Sequence, residues 1–186
     1  MNRTIPERIF ICGFMGAGKS TVGRALADKL EMPFWDLDDF IEDQAGQSIP
    51  AIFEAAGEQG FRRREQSAVL DIIRQKKGVI ALGGGTLQSQ HLLDHIKVNG
   101  LLIYINTPMD EIIARISGDE NRPLLLDEEG NMKSESELEK DLQQLYDERL
   151  PFYEQAEITI ESTRFDDQEE LVQSLVKKIK YHVALH

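Results

Sequence analysis

The chain has 186 residues, 41% hydrophobic and 29% charged, with a net charge of −12 at pH 7. That length suits one domain with a proper core; no apolar run approaches the roughly 18 residues of a membrane helix, and so acidic a balance argues against a general nucleic-acid binder. Cys12 is the only cysteine, so no internal disulfide can form, and residues 1–8 lack the apolar centre of a signal peptide; the expectation is a cytoplasmic protein of one domain, residues 1–186.

The apolar, largely β-branched run at 9–12 predicts a buried strand. Gly13-Phe14-Met15-Gly16-Ala17-Gly18-Lys19-Ser20 follows and fits G-x-x-x-x-G-K-[ST]. From Thr21 the spacing of Val22, Leu26 and Leu30 predicts a helix over 19–30. The pattern therefore sits between a strand and a helix, the context in which it cradles phosphates. Its glycines let backbone N–H groups turn inward, and the helix start adds unpaired donors and a positive dipole end. Lys19 can then reach the β- and γ-phosphates of a nucleoside triphosphate, and the Ser20 hydroxyl can hold Mg²⁺. The bland alternative is a glycine-rich turn beside a surface lysine.

A second strand is predicted at 34–37, where alternation puts Asp36 and Asp38 on one face and Trp35 and Leu37 on the other. Two neighbouring carboxylates repel unless a cation or proton lies between them. Asp39 and Glu42 have capping-box spacing for a helix at 40–45, which would free Asp36 and Asp38 for a metal and an acceptor hydroxyl. Solvated turn acids are the competing reading. Helices are then expected at 50–55 and 61–75, with Arg62, Arg63 and Arg64 in the first turns of the latter. Cations there oppose the helix dipole, so an anion should compensate: Glu58 and Glu65, or a ligand.

The strand predicted at 79–82 runs into Gly83, Gly84 and Gly85, which suggest either a tight turn or a backbone that approaches a ligand closely. A helix at 90–97, a strand at 101–105 and a helix at 109–116 follow, the last carrying Arg115. The polar stretch 117–136 contains Arg122, Pro123 and two glycines and has the length of a lid. A helix at 135–148 brings Arg149 to its last turn, where an arginine suits the dipole, and Pro151 is expected to stop it. A strand at 157–160 and a helix at 168–180 complete the chain; acids open that helix and Lys177, Lys178 and Lys180 close it. Strand–helix alternation of this kind implies a parallel sheet covered on both faces. The four histidines, His91, His95, His182 and His186, have no metal-ligand spacing and read as surface residues.

Taken together these residues resemble shikimate kinase. The likeness runs in order through G-F-M-G-A-G-K-S-T at 13–21, D-L-D at 36–38, G-F-R-R-R-E at 60–65, G-G-G at 83–85, R-P-L-L at 122–125 and E-R-x-P-x-Y at 148–153. It implies a P-loop kinase of nucleoside-monophosphate-kinase type, with a five-stranded parallel sheet in the order 2-3-1-4-5, acting as a monomer on ATP and shikimate. It implies transfer of the γ-phosphoryl group to the 3-hydroxyl of shikimate, with a shikimate-binding region at about 38–65 and a lid at about 117–136.

By position, Gly16, Ala17, Gly18, Lys19, Ser20 and Thr21 match the ATP-binding loop, Arg115 a residue beside adenine, and Arg122 the lid arginine that reaches the ATP phosphates. Ser20 and, through water, Asp36 match the Mg²⁺ residues. Asp38 matches the acid that binds substrate hydroxyls, Arg62 and Arg149 the pair that grips the carboxylate, and Gly83, Gly84 and Gly85 the substrate-binding glycines. Lys19, Asp38 and Arg122 are thus the expected catalytic residues. Leu37 stands where many members carry Ser or Thr, and the acidic run Asp127-Glu128-Glu129-Gly130-Asn131 lengthens the lid. The adenine loop near 162–167 matches no family residue position by position. Two rivals share the P-loop: a kinase of gluconate or nucleoside monophosphates, and a non-catalytic nucleotide-binding module.

Overall fold

A computed structural model describes residues 5–116 and 134–185. The strands β1 (Arg8–Cys12), β2 (Phe34–Asp36), β3 (Gly78–Ala81), β4 (Leu101–Asn106) and β5 (Ile158–Glu161) form one sheet in the order β2-β3-β1-β4-β5. All four pairings are parallel, with Ile9 opposite Val79 on one side and Leu101 on the other. The strands are parallel because each is followed by a helical crossover: α1 (Lys19–Leu30), α2 (Leu37–Ala45) and α3 (Ile49–Gln75), α4 (Gln90–Asn99), and α5 (Met109–Ile116) with α6 (Glu135–Tyr153). Helix α7 (Gln168–Leu185) follows β5. Successive residues of β1 alternate between the faces. Phe10 and Cys12 join the core under α3, α4 and α6, whereas Ile9 and Ile11 join the one under α1 and α7. The chain order reverses about β1, so loops on either side of its carboxyl end diverge and leave a crevice there.

Two elements, the junction of β2 with α2 and the end of α6, differ from the sequence expectation. Strand β2 ends at Asp36, and α2 starts at once, so Asp36 and Asp38 are not alternate residues of a strand. Asp36 is itself the helix cap: its Oδ1 accepts from the Asp38 N–H at 3.0 Å. The Asp39–Glu42 box does not form; the Glu42 carboxylate instead accepts from the Ile49 N–H at 2.7 Å and joins α2 to α3. The two helices expected at 50–55 and 61–75 are both present: the run Ile49–Gln75 is broken between them at Gly57, whose φ of 65° and ψ of −179° leave the helical region. Finally, α6 passes through Pro151 to Tyr153. A proline removes its own N–H donor and crowds the carbonyl four residues before it; the Glu154 N–H still reaches the Leu150 carbonyl at 3.0 Å, so the last turn closes. Residues 134–136, placed within the lid by sequence, form the capped start of α6, with the Ser134 and Glu137 side chains engaged reciprocally. The rest of that stretch, with Arg122, lies outside the described residues.

Candidate active site

The phosphate-binding motif folds as its glycines require. Gly13, Gly16 and Gly18 have φ of 147°, 73° and 90°, values that other residues rarely adopt. Gly16 is also crowded, since a methyl there would lie 2.9 Å from Ile116 Cγ2. Gly18 caps α1 without any side-chain bond to the first turn, which leaves the dipole end open to an anion. The Lys19 ammonium donates across the loop to the Phe14 carbonyl at 3.0 Å. Arg115, on α5, donates to the Gly16 carbonyl at 3.2 Å and so stands over the same loop.

This loop is one wall of a cavity of about 690 Å³, within the range of small-molecule and cofactor sites. The far wall is the turn after β5, where Phe165, Asp166, Asp167 and Gln168 meet the start of α7. Gln168 Nε2 donates to the Thr21 carbonyl at 3.1 Å, and the Thr107 hydroxyl sits between the Ala17 carbonyl and the Ser162 hydroxyl, at 3.2 and 2.8 Å. Those contacts fix the turn against the P-loop. Sequence reasoning left it unmapped because its residues carry no motif; only its position after the last strand could have pointed to it.

At the carboxyl end of β2, the Ser20 hydroxyl donates to Asp36 Oδ2 at 2.5 Å. A hydroxyl and a carboxylate beside a phosphate loop form a hard-oxygen set suited to Mg²⁺, which is normally held by few protein ligands together with phosphates and water. No cluster of three acidic, histidine or cysteine ligands exists among the described residues. Asp38 lies deeper: burial first, and the Asp36 charge second, push its carboxyl up to about 6, although Lys19 pulls the other way.

The glycine segment after β3 is where three parts of the chain meet. A methyl on Gly83 would lie 3.0 Å from Glu65 Oε1 and 3.1 Å from Asp38 Oδ1. One on Gly84 would lie 3.0 Å from the Met15 nitrogen of the P-loop, and one on Gly85 would lie 2.8 Å from both terminal nitrogens of Arg62. The segment is therefore a close backbone approach and not a plain turn. Arg62 also donates to Glu65 at 2.7 Å and pairs with Glu58 at 3.6 Å, so both compensating acids considered for it are engaged. Glu65, only 3% exposed, accepts a further bond from the Thr86 hydroxyl at 2.7 Å. Arg63 and Arg64 point to solvent.

Arg149, 7% exposed, donates from Nη1 to the Gly84 carbonyl at 2.9 Å, and its guanidinium lies 5.6 Å from the centre of the Phe14 ring. The Nε atoms of Arg62 and Arg149 are both buried without a hydrogen-bond partner. A buried, unsatisfied donor of a charged group costs about 1–3 kcal/mol or more. Arg149 on the Gly84 carbonyl and Arg62 beside Gly85 bring two guanidinium groups to the segment that also meets Asp38, an arrangement that suits an anion that also carries hydroxyls. Leu37, the departure noted in the sequence, is fully buried in the core and does not reach this site.

A model of the shikimate kinase family matches residues 15–180. The shikimate kinase of Vibrio cholerae is 37% identical over 181 residues, 95% of this chain and 97% of that one. That of Chlorobium chlorochromatii is 39% identical over 84% of this chain and 83% of its own length. The chain belongs to the shikimate kinase family. It is therefore a kinase, an ATP-dependent transferase. Solved structures agree: the shikimate kinase of Bacteroides thetaiotaomicron, 32% identical, superposes with a TM-score of 0.82 over 91% of this chain and 96% of that one. The shikimate kinase of Acinetobacter baumannii, solved in complex with shikimate, is 36% identical with a TM-score of 0.81 over 95% and 94% of the two chains. A gluconokinase from Sinorhizobium meliloti, 14% identical with a TM-score of 0.57, shares the fold alone and carries no argument about the acceptor.

Proposed function

We propose that this chain transfers the γ-phosphoryl group of ATP to the 3-hydroxyl of shikimate. The observation that carries the acceptor is the pair of buried, unpartnered guanidinium N–H groups of Arg62 and Arg149 beside Asp38. Shikimate offers what they lack: one carboxylate for the two arginines and hydroxyls for the acid.

In this reading Gly16, Ala17, Gly18, Lys19, Ser20 and Thr21 hold the triphosphate, and Arg115 stands at the adenine end with the turn at Phe165–Gln168. Ser20 and Asp36 would hold Mg²⁺, which when bound offsets the charge of the β- and γ-phosphate oxygens. Arg62 and Arg149 grip the carboxylate, and Gly83, Gly84 and Gly85 let the substrate approach the backbone. Asp38 accepts a hydrogen bond from the 3-hydroxyl and takes its proton as the oxygen bonds to the γ-phosphorus. The bond from that phosphorus to the β–γ bridging oxygen breaks, and ADP leaves. Lys19 follows the charge that develops between the β- and γ-phosphates. Arg122 is kept as the lid arginine on the strength of its R-P-L-L match alone. The reading takes the chain as a cytoplasmic monomer of one domain.

The test is ADP release with ATP and Mg²⁺ and one acceptor at a time: shikimate, gluconate, or a nucleoside monophosphate. Turnover with shikimate alone is expected. Faster release with either of the others would replace the substrate assignment, and no release with any would favour a non-catalytic nucleotide-binding module.

A further inference from the structure

Besides its contacts with the Phe14 ring and the Tyr153 side chain, Arg149 has a backbone anchor. It docks on the Gly84 carbonyl, which belongs to a peptide unit with glycine on both sides. Such a unit lacks the Cβ atoms that normally resist rotation, so little in the segment itself keeps that oxygen aimed at Arg149. The same carbonyl accepts a second hydrogen bond, from the hydroxyl of Tyr153 at 2.5 Å. Tyr153 lies four residues after Arg149, one turn further along α6, so both side chains leave the same helix face.

Its ring is rigidly held. Tyr153 is 1% exposed and stacks on Tyr104 of β4, with centroids 5.3 Å apart and planes 25° off parallel. The Tyr104 hydroxyl shares a hydrogen bond with that of Tyr146 at 2.9 Å, and Tyr146 meets Phe14 of the P-loop edge-on at 5.6 Å. Burial holds the Tyr153 phenol well above its usual range, so at neutral pH it keeps the proton that it donates to Gly84.

We infer that Tyr153 is a positioning residue: its hydroxyl latches the Gly84 peptide in the orientation on which Arg149 docks, and so presents that guanidinium to the acceptor's carboxylate. Tyr153 does not touch the acceptor; it acts through Gly84 and Arg149. The functional part of the inference rests on the shikimate reading above, whereas the latch itself does not.

Tyr153→Phe keeps the ring and its stack and removes only the hydroxyl. One lost neutral hydrogen bond predicts a rise of about five- to tenfold in the KM for shikimate, with the KM for ATP and kcat within about twofold of wild type. In an Arg149→Ala background the same change should alter the shikimate KM by less than about twofold, because there is no guanidinium left to position. An unchanged KM in the single variant, an equal loss in both backgrounds, or a parallel rise in the KM for ATP would each overturn the inference in favour of a merely structural tyrosine. A crystal structure of ligand-free Tyr153→Phe separates this from the substrate assignment. The Gly84 carbonyl is expected to turn and Arg149 to lose its bond; both in their original places would overturn the latch whatever the acceptor. Should the wild-type enzyme release no ADP with shikimate, the substrate assignment fails and that structure alone decides the latch.

Discussion

Asp38 faces two opposing demands. The role proposed for it requires a carboxylate, yet burial and the Asp36 charge favour the neutral acid up to about pH 6, against an ordinary value of 3.8. With a raised pKa the folded state keeps the proton longer than the unfolded one. The penalty for ionising Asp38 is absent below about pH 4 and grows as the pH rises towards 6. Asp38→Asn should therefore stabilise the ligand-free protein by about 1–3 kcal/mol at pH 7 and by little at pH 4, as read from urea unfolding at both pH values. A gain that is equal at both would show that Asp38 is not strained as an ion. The same variant should collapse kcat with shikimate while leaving ATP affinity nearly unchanged, and wild-type kcat/KM should fall as the pH drops through about 6. Arg62→Ala and Arg149→Ala make the complementary case. Each removes a charge-assisted contact of roughly 1.5–3 kcal/mol, so each should weaken shikimate binding about tenfold or more. An analogue without the carboxylate should bind wild type poorly and be indifferent to either replacement, which calorimetry can check.

At the scale of elements, glycines divide into those that serve the fold and those that serve the site. Gly23 brings α1 onto the sheet: a methyl there would lie 2.6 Å from Phe34 Cε2 and 3.3 Å from Ile11 Cδ1. Gly23→Ala should destabilise by about 1–3 kcal/mol through overpacking and leave both KM values alone. Gly85→Ala meets only the far end of the Arg62 side chain, which can move aside. It should therefore raise the KM for shikimate with little change in melting temperature. The strands and most helices were legible because buried parallel strands are short apolar runs and surface helices have a regular period. The P-loop was legible because its backbone demands glycine, and the glycine segment because three glycines in a row mark a close approach. What misled was context that a local pattern cannot carry. D-L-D reads as an alternating strand end, yet the cap that Asp36 gives to Asp38 turns it into a helix start. Pro151 reads as a stop, yet the turn after it still closes, with the Leu150 carbonyl accepting from the Glu154 N–H and the Pro151 carbonyl from the Gln155 side chain. Glu65 and Tyr153 end two of the matched motifs without an assigned role in the site, Thr86 lies in none, and only the folded chain gathers them around Gly83 and Gly84.

At the scale of the whole molecule, the two cores lie on opposite faces of one sheet: β1, β3 and β4 give buried residues to both, Phe34 and Trp35 of β2 pack against different sides, and β5 gives Ile158 and Ile160 only to the core under α1 and α7. Neither core is complete without the sheet, so they should melt together. Trp35 is the only tryptophan and sits on the edge strand, far from the C-terminal helix in the strand order. Its fluorescence and the far-ultraviolet circular dichroism should follow one urea transition, whereas two separated midpoints would divide the chain into independent units. The lone thiol adds a further consequence. Cys12 is 1% exposed, directly ahead of the P-loop, and burial raises its pKa, so little thiolate exists to react. An alkylating reagent should find it only when the central strand comes away from its neighbours. The rate of its modification then becomes a clock for opening of the sheet, and a nucleotide that binds only the closed form should slow that clock in proportion to its occupancy.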